Sequence, residues 1–465
     1  MKRHWRLYPI LSVVSFTVFA IGCTTQQQPT ALSAPTEKSL ATAMSGTVQV
    51  GQRVDLAYDD LFHGRDLDTP LDNAALGMPA GAALPQFIFD CDHRPVSGAD
   101  QVRQAFREEL ADRFPVKAIE QLGEDYPGVN IRSFGSGLTA QHLTWYGVVV
   151  EGVNYVGGCQ TRFGLYPYCE YMRAPSYSTA KSAFVSLALM RLAQKYNPEA
   201  AGLLVIDYVP EAAASPGEWE SVTFNHALDM ATGNYRSSDF MVDEESWDTD
   251  PFWTAEYYDE LIKAAFNWPN SAPPGTQWVY RTSDTFIVTR AMQNYLQTLE
   301  GSGADIFEFV VDEVYKPLKI SPGTNTILRT RDNDWQGQPY GGLGQWWIPD
   351  DLAKITSLLN VDHGLIAGEQ ILHPGLLDAA LQRNPLDRGV DIDPRRKYNN
   401  AFWADRYTPA EGFACEFWVP QMLGYSGIVV ALFPNGITYY YASDNREFTW
   451  EAALRESDRI KPLCP

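Results

Sequence analysis

Ser178 and Lys181 stand three residues apart at the mouth of a long apolar stretch, Ser182 to Tyr196 (SAFVSLALMRLAQKY). Residues at that spacing share one face of a helix, so the two side chains can touch. Ala183, Phe184, Val185, Leu187, Ala188, Leu189, Met190, Leu192 and Ala193 leave little polar face apart from Arg191. A helix that is apolar on every side is a buried one. Lys181 falls in its first turn, where burial pulls an amine toward the neutral, proton-accepting form. The start of a helix also offers N–H donors and a positive dipole end, which favour negative charge on a serine oxygen. Together these make a nucleophile with a base beside it. Because S-x-x-K also arises by chance, the assignment rests on the company the motif keeps downstream.

Pro274-Gly275-Thr276-Gln277-Trp278-Val279-Tyr280-Arg281-Thr282 opens a helical run, Ser283 to Leu299. A tyrosine has an ordinary pKa of about 10 and becomes a usable base only when cations lower it. Lys181 is expected to do this for Tyr280, the pair sharing the Ser178 proton and returning it to the leaving group. A core tyrosine with a satisfied hydroxyl is the competing role. Thr282 keeps a hydroxyl for substrate binding and also suits a helix N-cap. Near the C-terminus, Tyr425-Ser426-Gly427 supplies a glycine that would let backbone approach a substrate closely, or mark a bulge. There is no HExxH and no CxxC, and Cys91-Asp92-His93 is isolated. No metal or other cofactor is expected.

These residues resemble the serine β-lactamase-like superfamily, in the branch holding class C β-lactamases, D-alanyl peptidases, family VIII esterases and 6-aminohexanoate-oligomer hydrolases. Ser178 and Lys181 match its S-x-x-K, and Tyr280 matches the tyrosine of its P-G-T-x-x-x-Y-S-N, with Arg281 and Thr282 in place of Ser and Asn. Thr223 to Gly233 resembles its T-x-x-x-L-L-x-M-x-S-G segment. Gly341-Gly342-Leu343 with Asp350-Asp351-Leu352-Ala353 resembles its G-G-L…D-x-A, and Ile371 to Pro374 its L-L-S-P. The third motif, K-T-G or H-x-G, falls on Tyr425-Ser426-Gly427. The resemblance covers about residues 140–460. It implies Ser178, Lys181 and Tyr280 as catalytic residues and the N–H groups of Ser178 and Ile428 as the oxyanion hole. It also implies substrate contacts from Thr282, Tyr425, Ser426 and Gly427. The activity implied is a serine hydrolase acting on a small-molecule ester or amide. The alternatives are a penicillin-recognising enzyme (a β-lactamase or D-alanyl peptidase) and a non-catalytic envelope lipoprotein that kept the fold. Tyr425 counts against the first, since it cannot offer the charge with which Lys or His favours a substrate carboxylate. Trp346, Trp347, Trp403 and Trp418 are candidate pocket walls, although aromatics more often fill cores. An α/β-hydrolase is disfavoured by the lack of G-x-S-x-G.

The elements that must position this site follow from the pattern. Leu143 to Tyr155 reads as a strand leading into a turn. Leu423 to Pro434 and Ile437 to Ser443 read as a hairpin about Asn435-Gly436, a strong two-residue turn signal. Helices are predicted at Gly98–Phe114, Ser182–Tyr196, Val222–Met230, Ser283–Leu299, Asp350–Leu359, Pro374–Leu381 and Phe448–Ile460. Strands at both ends and helices between them give an α+β fold. An antiparallel sheet is built from both ends of the catalytic region and flanked by helices, with an inserted, mainly helical domain.

The first residues read as an export signal: Lys2, Arg3 and Arg6, then an apolar Leu7 to Ile21, too short for a confident membrane span. Ala20-Ile21-Gly22-Cys23 resembles a lipoprotein cleavage site, which implies lipid on Cys23. Thr24 in the next position resembles the pattern sent to the outer membrane of a Gram-negative cell, facing the periplasm. Residues 1–22 are read as signal, 23–45 as a flexible tether, 46–130 as a segment of unknown role and 131–465 as the hydrolase domain. Loss of the three signal-peptide cations takes the net charge from −21 to −24, which makes nucleic acid a poor partner. The acidic stretch Asp243 to Asp250 reads as a solvated loop. Export permits disulfides. Cys159 and Cys169 could close a loop and Cys415 and Cys464 lie together near the end, but pairing among these four and Cys91 stays open.

Overall fold

The computed structural model describes residues 97–161, 164–166 and 168–464. The signal, Cys23, the tether and Cys91 lie outside them. The chain divides into two compact units, residues 1–105 and 106–465. Of the first, the described part is residues 97–105, which enter helix α1 (Ala99–Ala111). All that follows concerns the second.

Nine strands form its main sheet. In chain order they are β1 (Val116–Ala118), β2 (Leu143–Val150), β3 (Val153–Gly158), β4 (Val390–Asp393), β5 (Arg396–Asn399), β6 (Phe402–Tyr407), β7 (Phe417–Gly424), β8 (Ile428–Leu432) and β9 (Thr438–Ser443). Their spatial order is β1-β3-β2-β9-β8-β7-β6-β5-β4. The two ends of the chain thus meet at the β2–β9 ladder, with Gly147 opposite Tyr440. A side chain at Gly147 would meet the Tyr440 hydroxyl at 2.2 Å. Glycine there lets the buried tyrosine cross the strand and donate to Asn154 Oδ1 at 2.7 Å. The α+β reading holds, with one correction: β1 runs parallel to β3, so the sheet is mixed. Strand β1 also places residues 116–118 in the sheet, ahead of the boundary at 131 expected from sequence.

Side chains alternate across the sheet, as a period of two requires. Val429, Ala431, Tyr439 and Tyr441 face a smaller core shared with Leu454 of the C-terminal helix, whereas Ile428, Val430, Leu432 and Tyr440 face the larger, helical one. That larger core is built between β3 and β4. It holds α2 (a π-helical turn Lys181–Ser186 continuing as the α-helix Leu187–Lys195), α3 (Phe224–Leu228), α4 (Thr282–Glu300) and α5 (Pro349–Asn360). Helix α6 (Glu451–Ile460) covers the other face. Helix α3 starts later than expected because Thr223 caps it, accepting from the His226 N–H at 3.1 Å. The single strand expected over 423–434 is divided by a tight turn at 425–427. Ser426 and Gly427 take φ of 69° and 98° there, which brings Ile428 opposite Gly424. The Asn435-Gly436 turn forms as expected, with Phe433 N–H donating to Ile437 O at 2.9 Å. A disulfide joins Cys415, ahead of β7, to Cys464 after α6. Among the described residues no helix is long and apolar enough to cross a membrane.

Candidate active site

Helix α2 is buried on every side, as its composition requires. Its first turn is π-helical, a rare form that frequently occurs at functional sites. The Ala183 carbonyl in that turn accepts the Tyr315 hydroxyl at 2.7 Å. Ahead of it, the segment carrying Ser178 is held from several sides. Ala174-Pro175 pairs with Trp346-Trp347, Ser176 N–H donates to Gln345 O at 2.8 Å, and Trp347 Nε1 donates to Thr179 Oγ1 at 2.9 Å. Tyr177 takes a φ of 42°. A left-handed non-glycine residue costs about 1–3 kcal/mol and persists where its surroundings over-determine it, commonly beside a reactive group.

Lys181, 1% exposed, reaches back under this turn. Its amine lies 2.8 Å from Ser178 Oγ, 3.2 Å from the Tyr280 hydroxyl, 3.0 Å from Thr282 Oγ1 and 3.4 Å from Gly342 O. Tyr280 in turn donates to Ser178 Oγ at 2.7 Å. The three residues expected to act together therefore form one triangle. Gly342 closes it from above. A side chain there would strike Thr282 Cγ2 at 2.6 Å, beside the Lys181 amine, which is why the G-G-L segment carries glycine at that point.

Burial lowers the Lys181 amine to about 8, against a smaller upward pull from Glu244. It pushes Tyr280 the other way, above its ordinary 10, with Glu244 adding to the rise and the Ser178 hydrogen bond opposing it. The expectation that Lys181 turns Tyr280 into a base is corrected here. In a dry pocket desolvation of the phenolate dominates, so the surroundings push Lys181 toward a neutral amine and Tyr280 toward a protonated phenol. The Ser178 N–H donates to no group among the described residues.

The third motif sits against the nucleophile turn through the glycine that precedes it. A side chain on Gly424 would meet Ser176 O at 2.7 Å, whereas one on Gly427 would meet the Glu447 backbone. Gly424 makes the close approach and Gly427 makes the turn. The Ser426 carbonyl accepts from Arg446 N–H at 3.0 Å. Tyr425 is exposed, with its ring 5.6 Å from Tyr177. Arg446 lies over that ring at 4.5 Å and donates to its hydroxyl. A guanidinium thus stands where the motif lacked a cation. Arg281 does not serve that purpose. It is buried, ion-paired with Asp284 and 4.9 Å over Trp268.

Of the four tryptophans, Trp403 walls the site, its ring stacked on Tyr280 at 5.7 Å. Trp278 packs against Trp403, and exposed Phe240 against Trp278. Trp347 is a buried buttress and Trp346 is partly exposed beside the nucleophile segment. Trp418 lies toward the far end of β7 under Arg388.

Sequence reasoning missed Glu244. The acidic loop is solvated only in part: Glu245, Asp248 and Asp250 are exposed, while Asp243 and Glu244 are buried. Asp243 accepts the N–H groups of Arg236 and Ser237 at 2.8 and 3.0 Å, which folds the loop back on itself. Glu244 then accepts the Thr282 N–H at 2.8 Å and its hydroxyl at 2.5 Å. Thr282 accordingly faces Lys181 on one side and a buried carboxylate on the other.

No family model matches the chain, and no curated protein matches it. Solved structures do. One described as a 6-aminohexanoate-dimer hydrolase from Bacillus anthracis aligns with a TM-score of 0.52 at 16% identity, over 75% of this chain and 86% of its own. A penicillin-binding protein homologue from Caulobacter crescentus aligns at 0.50 and 14%, over 77% and 98%. A simvastatin synthase variant from Aspergillus terreus aligns at 0.50 and 13%, over 74% and 96%. At these identities the likeness is one of fold alone, a β-lactamase/penicillin-binding-protein-like fold.

Proposed function

We propose that this chain is a serine hydrolase that cleaves an ester or amide bond through a covalent acyl-enzyme on Ser178. The observation that carries the reading is the closed triangle of Ser178, Lys181 and Tyr280, at 2.7, 2.8 and 3.2 Å. Neutral Lys181 takes the Ser178 proton as Oγ attacks the carbonyl carbon. The developing oxyanion is held by the unpaired Ser178 N–H, with the Ile428 N–H proposed as its second donor. Tyr280, protonated, passes its proton to the leaving alcohol or amine and is reprotonated from Lys181. Water then repeats the sequence on the acyl-enzyme. No cofactor enters any step. Ser178→Ala should abolish both turnover of an activated nitrophenyl ester and labelling by a fluorophosphonate, with the circular dichroism spectrum unchanged. Undiminished turnover in that variant would overturn the proposal.

A second reading, a penicillin-recognising enzyme, is favoured by one observation. Arg446 restores positive charge beside Tyr425, so the third motif no longer argues for neutral substrates alone. Comparing kcat/KM for a chromogenic cephalosporin and a short-chain nitrophenyl ester separates the two.

We also propose that lipid on Cys23 anchors the chain in the cell envelope, at the outer membrane facing the periplasm. The basic and apolar leader before Cys23 supports this. Cys23→Ala should block lipid attachment, and mass spectrometry finding an unmodified mature N-terminus elsewhere would refute it.

A further inference from the structure

We infer that Glu244 is a positioning residue that sets the charge on Lys181 through the hydroxyl of Thr282. The inference rests on the reading of Ser178 as nucleophile and adds a residue that no sequence motif marks. A buried carboxylate needs partners, because an unpaired charge is costly to remove from water. Glu244 has two, and both belong to Thr282. By accepting the Thr282 hydroxyl hydrogen, it turns the oxygen lone pairs toward the Lys181 amine 3.0 Å away. A hydroxyl that donates to an anion is a stronger acceptor. Ammonium, hydroxyl and carboxylate then form one polarised chain that stabilises the proton once Lys181 has taken it from Ser178.

The other groups around Lys181 cannot do this. Tyr280 and Ser178 are neutral partners, and Gly342 offers a carbonyl. Arg281 bears on Glu244 but is committed to Asp284. The buried hydroxyl of Tyr398 faces Tyr280, Asp229 and Glu244 and carries no charge itself. Among the described residues, Glu244 is the charged side chain whose field bears on the lysine. The arrangement also accounts for threonine where the family pattern has asparagine: a single oxygen both accepts from the lysine and donates to the glutamate.

The consequence is a defined trade. The carboxylate makes Lys181 a stronger base, and it raises the pH at which the lysine becomes neutral and able to act. Glu244→Gln should therefore move the acid limb of Ser178 reactivity to lower pH, by about one unit, the low end of the range for a nearby opposite charge. The plateau rate at high pH should fall as well, because the base is weaker.

The test is the rate of fluorophosphonate attachment to Ser178 between pH 6 and 10, followed by mass spectrometry on the full chain. Glu244→Asp keeps the charge and should keep the limb. Thr282→Val removes the link, so Glu244→Gln should shift the limb far less in the Thr282→Val background than in the native chain. An unshifted limb in folded Glu244→Gln overturns the inference while leaving the nucleophile in place. If Glu244→Gln does not fold, an unshifted limb in Thr282→Val overturns it instead. Absence of Ser178 labelling in the native chain would remove the catalytic reading itself, which keeps the two failures distinct.

Discussion

Replacing Lys181 by methionine should sharply slow turnover and stabilise the fold, two effects of one cause. An amine of ordinary pKa 10.5 lowered to about 8 is about one-tenth neutral at pH 7, against about 0.03% if unperturbed, a gain of about 300-fold in the competent form. That gain has a cost. Because the folded pKa is depressed, folding is opposed wherever the unfolded chain would hold the proton more tightly. The penalty is full below pH 8, shrinks between 8 and 10.5, and vanishes above. At pH 7 it is on the order of 3 kcal/mol. Methionine fills nearly the same volume without a charge to desolvate, and loses the hydrogen bonds to Ser178, Tyr280 and Thr282, which offsets part of the gain. Lys181→Met should thus melt higher than the native chain at pH 7, and the difference should narrow as pH approaches 10. Its kcat/KM for a nitrophenyl ester should fall by about 10²–10⁴-fold, the usual worth of a positioned base. In the native chain the same rate should rise with pH and reach half its plateau near pH 8. A rate flat from pH 6 to 10 would refute the argument, as would a destabilised Lys181→Met with unchanged activity.

Tyr280→Phe keeps the ring under Trp403 and removes only the proton donor. It should cost about 10²–10⁴-fold with an amide and much less with a nitrophenyl ester, whose leaving group needs no proton; equal losses would assign the hydroxyl another role. Asp284→Ala strands the buried Arg281 guanidinium and should destabilise the fold by about 3–5 kcal/mol in urea, whereas a change below 1 kcal/mol would show that the pair is not buried in solution. Arg446→Ala should raise KM for a carboxylate-bearing cephalosporin and leave a neutral ester unaffected; an equal effect on both would mean that the arginine orders the 425–427 turn instead of binding substrate.

How far this arrangement is legible in the sequence depends on how local each part is. Ser178 and Lys181 are three apart on one helix, so spacing and an apolar context suffice to bring them together. Tyr280 lies 102 residues from Ser178 in sequence, and only the resemblance of the P-G-T segment points to it. Strand β1 has three residues and pairs in parallel, too short for any alternation to show. The turn at 425–427 is hard to read because a strand tolerates Tyr-Ser-Gly; what breaks the strand is the left-handed backbone of Ser426 and Gly427, and only the glycine announces it. Gly424 and Gly427 look alike in sequence, and only the neighbours of each decide which one admits the nucleophile turn and which one bends the chain. Glu244 was the hardest to read. It stands in a run of acids whose shared character suggests solvent, and its burial follows from Asp243 folding the loop and from a hydroxyl 38 residues further on. The clue was present as a misfit. Threonine at position 282 departs from the family pattern, keeping a hydroxyl where the amide is usual. A departure at a position that touches the base calls for a compensating group, and a buried, otherwise unpaired carboxylate is the group a lone hydroxyl would need.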